Sequence, residues 1–219
     1  PWGKHWAFEP PTKSEIPISG SHPIGYFVQQ RLGLEGWTLA EEAPRHTLLR
    51  RLSFDLTGLP PSHEEVQDFE RDPSPDAHLR QVERLLRSPH HGERMAMWWL
   101  DAARYADTDG YQGDATRANW PWRDWVVQAF NENMPFDQFT LEQFAGDLLP
   151  DATPEQILAT SFHRNHMTNG EGGRDPEESR IDYVIDRVNT VGTIWMGMTV
   201  GCAQCHSHKF APLSHKEYY

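Results

Sequence analysis

The chain has 219 residues, of which 20 are basic and 32 acidic, so its formal net charge is −12. This balance, with no basic block long enough to follow a phosphate backbone, argues against nucleic acid and favours a cationic redox partner or a neutral ligand. No apolar run approaches the ~20 residues needed to cross a bilayer, and the length suits one large domain or two small lobes.

The two ends of the sequence suggest a piece of a longer protein. It starts at Pro1 without an initiator Met, shows no signal peptide, and stops at Tyr219 without a tail. Two cysteines are too few for a disulfide scaffold, and their number does not fix the compartment.

Residues 1–22 are rich in Pro, Ser and Gly, and are predicted to form an extended N-terminal arm. Trp2, Trp6 and Phe8 are its large apolar side chains before Ile16, and we expect them to hold the arm against the body. Residues 23–219 are predicted to form the helical domain itself.

Apolar side chains recur at helical spacing through this domain. Two of the predicted helices begin with capping boxes, Ser62 with Glu65 and Thr153 with Gln156. In a capping box each side chain accepts a hydrogen bond from the backbone N–H of the other residue. The predicted helices before the C-terminal region are 22–32, 46–56, 63–70, 79–86, 92–105, 119–130, 136–149 and 153–162.

Tryptophans are concentrated in two of these helices. Trp98 and Trp99 are predicted to face inward from the helix at 92–105. Trp120, Trp122 and Trp125 lie within six residues, and could form a stacking platform for carbohydrate. The spread of nine Trp over the chain favours core positions instead.

The segment starting at Asp107 and Asp109 begins like a calcium-binding loop. The sixth position is Gln112 where glycine is expected, and the twelfth is Ala118 where a bidentate Glu belongs. Calcium is therefore the disfavoured alternative here, and a turn is the prediction.

A polar, glycine-bearing loop at 165–174 follows, of the kind that displays binding groups. After it, Asp175 is predicted to start the longest helix, with apolar residues at steps of three and four through Met198. Glycines at 192, 197 and 201 would let a flat macrocycle or another backbone approach closely. No strand alternation persists, so we predict an all-α, irregular multi-helix domain with long loops and one long helix leading into the cysteine motif.

That motif is Cys202-Ala203-Gln204-Cys205-His206, whose spacing is used for covalent attachment of haem c. On one helical turn, two thiols can reach the two vinyl groups while the imidazole ligates the iron. Three alternatives stay open: a zinc site that adds His208, a redox-active thiol pair, and a small disulfide. His206 and His208 are two residues apart and face different ways on a helix, which weighs against zinc.

Several blocks occur together in an order that resembles a known family. They are residues 50–61, 99–107, 162–165 with 171–173, and 202–209. Together they resemble the planctomycete cytochrome-c-like domain of the second type, a family catalogued without an assigned function, and the resemblance extends over nearly the whole chain. In that family the domain usually lies between other domains of large exported proteins.

The resemblance implies haem c, with Cys202 and Cys205 as thioether anchors and His206 as the proximal ligand of the iron. It also implies a periplasmic, secreted or otherwise extracytoplasmic location. One departure is visible, because Ala211 stands before Pro212 where family members commonly have Asp. A carboxylate that orients a ligand in relatives would be missing here.

The occupant of the sixth iron position would decide the function. His163 is the first candidate for the distal ligand, and a histidine hydrogen-bonded at a helix end is its structural alternative. His166, Met167 and Met198 are weaker candidates. If the position is open, Arg104, Arg164, Glu171 or His163 could act on a bound substrate.

The sequence therefore predicts a haem c-binding electron-transfer domain of an exported multi-domain redox protein. Its partner would be a redox protein or a neighbouring domain of the same polypeptide. One alternative is a haem-dependent oxidoreductase with an open sixth position that acts on a small or carbohydrate-derived substrate. The other is a non-redox binding or structural module with a disulfide or zinc at the cysteine pair.

Overall fold

The computed structural model describes residues 6–14 and 22–219. Within the predicted arm, residues 1–5 and 15–21, which include Trp2, lie outside the described residues. Trp6 and Phe8 form part of a short 3₁₀ turn, and the side chain of Trp6 is 80% exposed.

The all-α prediction is confirmed. The described residues form helices joined by loops, and an isolated bridge pairs Thr108 with Thr116. The α-helices are Pro23–Leu34 (α1), Arg45–Thr57 (α2), His63–Arg71 (α3), Ala77–Leu86 (α4), Pro89–Ala102 (α5), Trp120–Asn131 (α6), Phe136–Ala145 (α7), Pro154–Ala159 (α8), Pro176–Met196 (α9) and His215–Tyr218 (α10). Three 3₁₀ turns continue or follow them, at Gly146–Leu148, Thr160–Arg164 and Val200–Gln204.

The helix starts follow the local capping chemistry. Both predicted capping boxes are present: Ser62 with Glu65 at α3, and Thr153 with Gln156 at α8. The carboxylate of Asp175 accepts hydrogen bonds from two backbone N–H groups at the start of α9. These side chains supply partners for donors that the first helical turn leaves unpaired.

The main core lies where α5, α6 and α7 meet. Trp122 is fully buried and donates its indole N–H to the carbonyl oxygen of Ala159 at 3.1 Å. Trp125 is also buried and stacks on Phe139. The core interpretation is therefore confirmed for these two tryptophans, whereas Trp120 is half exposed at 52%.

The inward placement of Trp98 is wrong, because this side chain is 64% exposed. Its neighbour Trp99 points into the core and donates to the side-chain oxygen of Gln143 at 2.9 Å. Adjacent helical positions are about 100° apart, so the two indoles cannot both face the same partner helix. The main core accommodates Trp99.

The long helix α9 connects this core to the C-terminal segment. Val191, Ile194 and Trp195 pack against the main core, whereas Ile185 and Val188 pack against a second cluster formed by the C-terminal residues. In the described part of the chain no helix is both long and apolar enough to span a membrane.

Candidate functional site

The cysteine motif lies on the short 3₁₀ turn Val200–Gln204, which is packed against α9. A Cβ at Gly192 would lie 2.6 Å from a methyl group of Val200, so only glycine at this position lets the turn approach so closely. Val200 and Ala203 are buried in a cluster with Tyr218, whose hydroxyl hydrogen-bonds to Asn189 on α9. The absence of a side chain at Gly192 thus allows Val200 to pack closely against α9.

The turn has a 3₁₀ geometry where an α-helical turn was expected. The two inward residues, Val200 and Ala203, are three positions apart, which matches the three residues per turn of a 3₁₀ helix. Cys202 and Cys205 have the same spacing, with Cys205 directly after the turn. Both thiols are free and exposed, and they are not joined in a disulfide.

The histidine of the motif, His206, and the nearby His208 differ in their hydrogen bonds. The Nδ1 of His206 lies 2.9 Å from the carbonyl oxygen of Ser207, which makes Nδ1 the donor and leaves the lone pair on Nε2. The imidazole itself is exposed. A histidine oriented in this way is ready to ligate a metal through Nε2.

His208 has both ring nitrogens in use within the protein. Its Nδ1 accepts from the backbone N–H of Phe210 and of Ala211, and its Nε2 lies 3.1 Å from the carbonyl oxygen of Thr199. These contacts fix the loop that follows the motif. In the described ranges, no group of three or more His, Cys, Asp or Glu side chains is arranged to hold a metal ion.

His163 lies away from the motif, on the 3₁₀ turn after α8. Its ring packs edge-on against Phe144 and Phe162, at the edge of the main core. Its carbonyl oxygen accepts a hydrogen bond from Nε of Arg187 on α9. Arg187 shares the side of α9 that carries Val191, whereas the motif packs around Val188 and Gly192, about 100° further round the helix. The structure thus places His163 and the turn that carries the cysteines against different faces of α9.

The other candidate distal ligands are also placed. His166 is buried and stacks on Tyr183, Met167 is half exposed, and Met198 packs against the C-terminal cluster. Met198 is therefore the candidate that packs in the same cluster as residues of the turn that carries the cysteines.

The calcium-like segment forms a turn. The hydroxyl of Tyr105 donates to Asp107 at 2.6 Å, and the carboxylate of Asp114 accepts from the backbone N–H of Gly110. The bridge between Thr108 and Thr116 closes the turn. The carboxylates of Asp107 and Asp114 are thus engaged in local hydrogen bonds.

A polar pocket of about 470 Å³ lies between this turn, the 3₁₀ turn after α8, and α9. Arg117 builds one wall by donating to the carbonyl oxygens of Ala106, Arg164, Asn165 and His166. Arg164 and Arg187 also line it. The sequence indicated the loop at 165–174 as a display site, but gave no sign of Arg117, 48 residues before that loop, or of Arg187, 13 residues after it.

Comparison with protein families shows which family the chain belongs to. A family model described as PSCyt2, protein of unknown function (DUF1549), matches residues 23–219. The chain belongs to this family. The matched span of the PSCyt2 domain contains the cysteine motif, His163 and the polar pocket. No curated protein and no solved structure matches the chain.

The PSCyt2 domain is expected to lose stability as the pH falls below neutrality, because two of its histidines are held neutral. Burial, together with nearby Arg187, lowers the pKa of both His163 and His166 from the unfolded value of 6.5. Below pH 6.5 the unfolded chain therefore binds more protons than the folded one, and the free energy of unfolding decreases. Urea unfolding on both sides of this pH measures the slope.

His166→Gln should remove part of this slope, whatever it costs in stability at neutral pH. The matched control is His78→Gln, since His78 is exposed on α4. Equal slopes for wild type, H166Q and H78Q would contradict the assignment.

Proposed function

We propose that the PSCyt2 domain carries one covalently attached haem c and transfers electrons within an extracytoplasmic multi-domain redox protein. The observation that carries the proposal is the arrangement of the two cysteines and the histidine of the motif. Cys202 and Cys205 are free and exposed one 3₁₀ turn apart, and His206 follows them with its Nδ1 donating to a backbone carbonyl oxygen.

The residues present fit this cofactor. Each thiol can form one thioether bond, and the Nε2 lone pair of His206 is available for the iron. The hydrogen bond from Nδ1 to Ser207 fixes the ring orientation and raises the basicity of the ligand nitrogen. When bound, haem supplies a one-electron couple.

The surroundings of the motif support a rigid attachment site on an open surface. Val200 and Ala203 anchor the turn to α9, while His208 holds the following loop through three hydrogen bonds to the backbone. Phe210, 70% exposed, adds apolar surface to the loop that follows the motif. A firmly held site limits rearrangement between redox states, and exposure allows a partner to approach closely.

The charge of the chain favours a cationic partner. A formal charge of −12 attracts basic surfaces over about a Debye length, roughly 8–10 Å at physiological salt. The partner would be a separate redox protein or a neighbouring domain of the same polypeptide. Thioether attachment on the outer side of the inner membrane would place the domain in the periplasm or beyond it.

Spectroscopy of protein made in a host with haem-attachment machinery tests this function. We expect a haem spectrum that changes fully and reversibly on one-electron reduction and reoxidation, and that survives acid extraction. A folded but colourless product would overturn the proposal.

The same sample tests the sixth iron position, for which His163 stays a prediction. Spectra that do not respond to cyanide or carbon monoxide, but do so in His163→Ala, would identify it as the ligand. A wild-type protein that already binds carbon monoxide would favour the oxidoreductase alternative with an open position.

A further inference from the structure

The polar pocket beside α9 has a charge opposite to that of the whole chain. Three arginines line it, Arg117, Arg164 and Arg187, against one acidic residue, Asp109. The chain as a whole carries −12. Asp186, the residue before Arg187, is ion-paired with Arg104 and does not cancel the charge of the pocket.

The three arginines differ in their hydrogen bonds. All the nitrogens of Arg117 donate to backbone carbonyl oxygens, so this residue builds the wall. Arg187 is held by two hydrogen bonds, from Nε to the carbonyl oxygen of His163 and from Nη2 to Nε2 of His166. Within the described residues its Nη1 makes no hydrogen bond, so both N–H groups of this nitrogen are left as donors on a fixed guanidinium.

Arg164 is the second available cation. Its side chain is exposed, and its guanidinium makes no hydrogen bond or ion pair with the part of the chain that the structure describes. Its backbone is fixed, since its carbonyl oxygen accepts from Arg117. Within the described residues, a guanidinium without a protein partner therefore lines the same pocket as the immobilised one.

The rest of the lining offers hydroxyl groups, a carboxylate and aromatic surface. Ser161 and Thr168 supply hydroxyls, and Asp109 supplies a carboxylate acceptor. The stacked pair of His166 and Tyr183 contributes aromatic surface, with ring centroids 4.3 Å apart. A volume of about 470 Å³ lies in the range of small-molecule sites.

We infer that this pocket binds a small hydroxylated organic anion, whose carboxylate or sulfate group contacts Arg164 and Arg187 and whose hydroxyls contact Asp109 and its neighbours. Guanidinium groups match the planar, two-oxygen edge of such anions, and charge-assisted hydrogen bonds are about twice as strong as neutral ones. The site is separate from the cysteine motif, so the inference stands whether or not the domain carries haem.

Calorimetric titration of the purified protein tests this inference, with glucuronate and glucose 6-sulfate as probes and glucose as the uncharged control. We expect at least one charged probe to bind, more weakly as salt rises, and glucose to bind at least tenfold more weakly. The two charged probes decide between carboxylate and sulfate. Binding of neither at millimolar concentration, or equal binding of glucose, would overturn the inference.

Variants assign the binding to this pocket. Arg164→Gln should weaken the charged probe about tenfold, because one charge-assisted contact is lost while no contact of the fold is removed. Arg51→Gln, on an exposed position of α2, removes the same charge elsewhere and should leave affinity unchanged. Equal affinities of R164Q and wild type would overturn the inference.

A gain of affinity provides a test that misfolding cannot imitate. Inorganic sulfate has no hydroxyl at neutral pH to offer Asp109, so this carboxylate only repels it. Asp109→Asn should therefore bind sulfate several-fold more tightly than wild type. Weaker sulfate binding by D109N would contradict the placement of the anion.

Discussion

Replacing Cys202 and Cys205 together by alanine is expected to abolish haem that resists acid extraction. These are the only two cysteines of the chain, so no other thiol can form a thioether bond. Each single variant should retain one bond and show a haem band displaced from that of the wild type. The measurement is absorbance of the protein fraction after acid–organic extraction, normalised to polypeptide.

Gln204→Ala is the matched control for this experiment. Gln204 lies between the cysteines on the same turn, and its backbone carbonyl oxygen accepts from the hydroxyl of Tyr219. Its side chain makes no hydrogen bond with the residues that the structure describes. Attachment should be complete in Q204A. Acid-resistant haem in the double cysteine variant would show that the cofactor is held elsewhere.

The second large effect concerns the junction between α7 and α8. A Cβ on Gly146 would lie 2.0 Å from the carbonyl oxygen of Gln156, a backbone atom that no rotamer change can move. Gly146→Ala is therefore expected to cost about 3 kcal/mol or more in the free energy of unfolding. That is a large share of the 5–15 kcal/mol that is typical of a domain, and corresponds to a fall in Tm of roughly 10 °C.

Gly33→Ala separates this clash from the general effect of replacing glycine. Gly33 lies in α1, where a Cβ would meet nothing within 4 Å. Alanine there should be neutral or stabilising by up to about 1 kcal/mol. Thermal unfolding of both variants makes the comparison, and a G146A protein as stable as G33A would contradict the account of the junction.

The features that the sequence predicted correctly are local ones. A capping box needs residues three positions apart, so Ser62, Thr153 and their partners could be identified without knowledge of the fold. The same holds for Asp175 at the start of α9. The cysteine motif is also contiguous, so its residues lie close together in any fold, although Cys205 and His206 follow a 3₁₀ turn and do not share the expected α-helical one.

The features that sequence reasoning missed depend on tertiary contacts. Periodicity placed Trp98 inward, but the choice between it and Trp99 is made by the helices that α5 meets. The turn that carries the cysteines packs against α9 through Val200, which lies in the space above Gly192, a contact between segments. Arg117 reaches carbonyl oxygens 47 to 49 residues away, so spacing along the chain gives no signal for the anion pocket.

The most direct test of the central proposal is the intact mass of the denatured wild-type protein, produced in a host with haem-attachment machinery. We predict the mass of the polypeptide plus one haem. The mass of the polypeptide alone would contradict covalent attachment at Cys202 and Cys205, and a mass lower by two hydrogens would show that the two thiols form a disulfide instead.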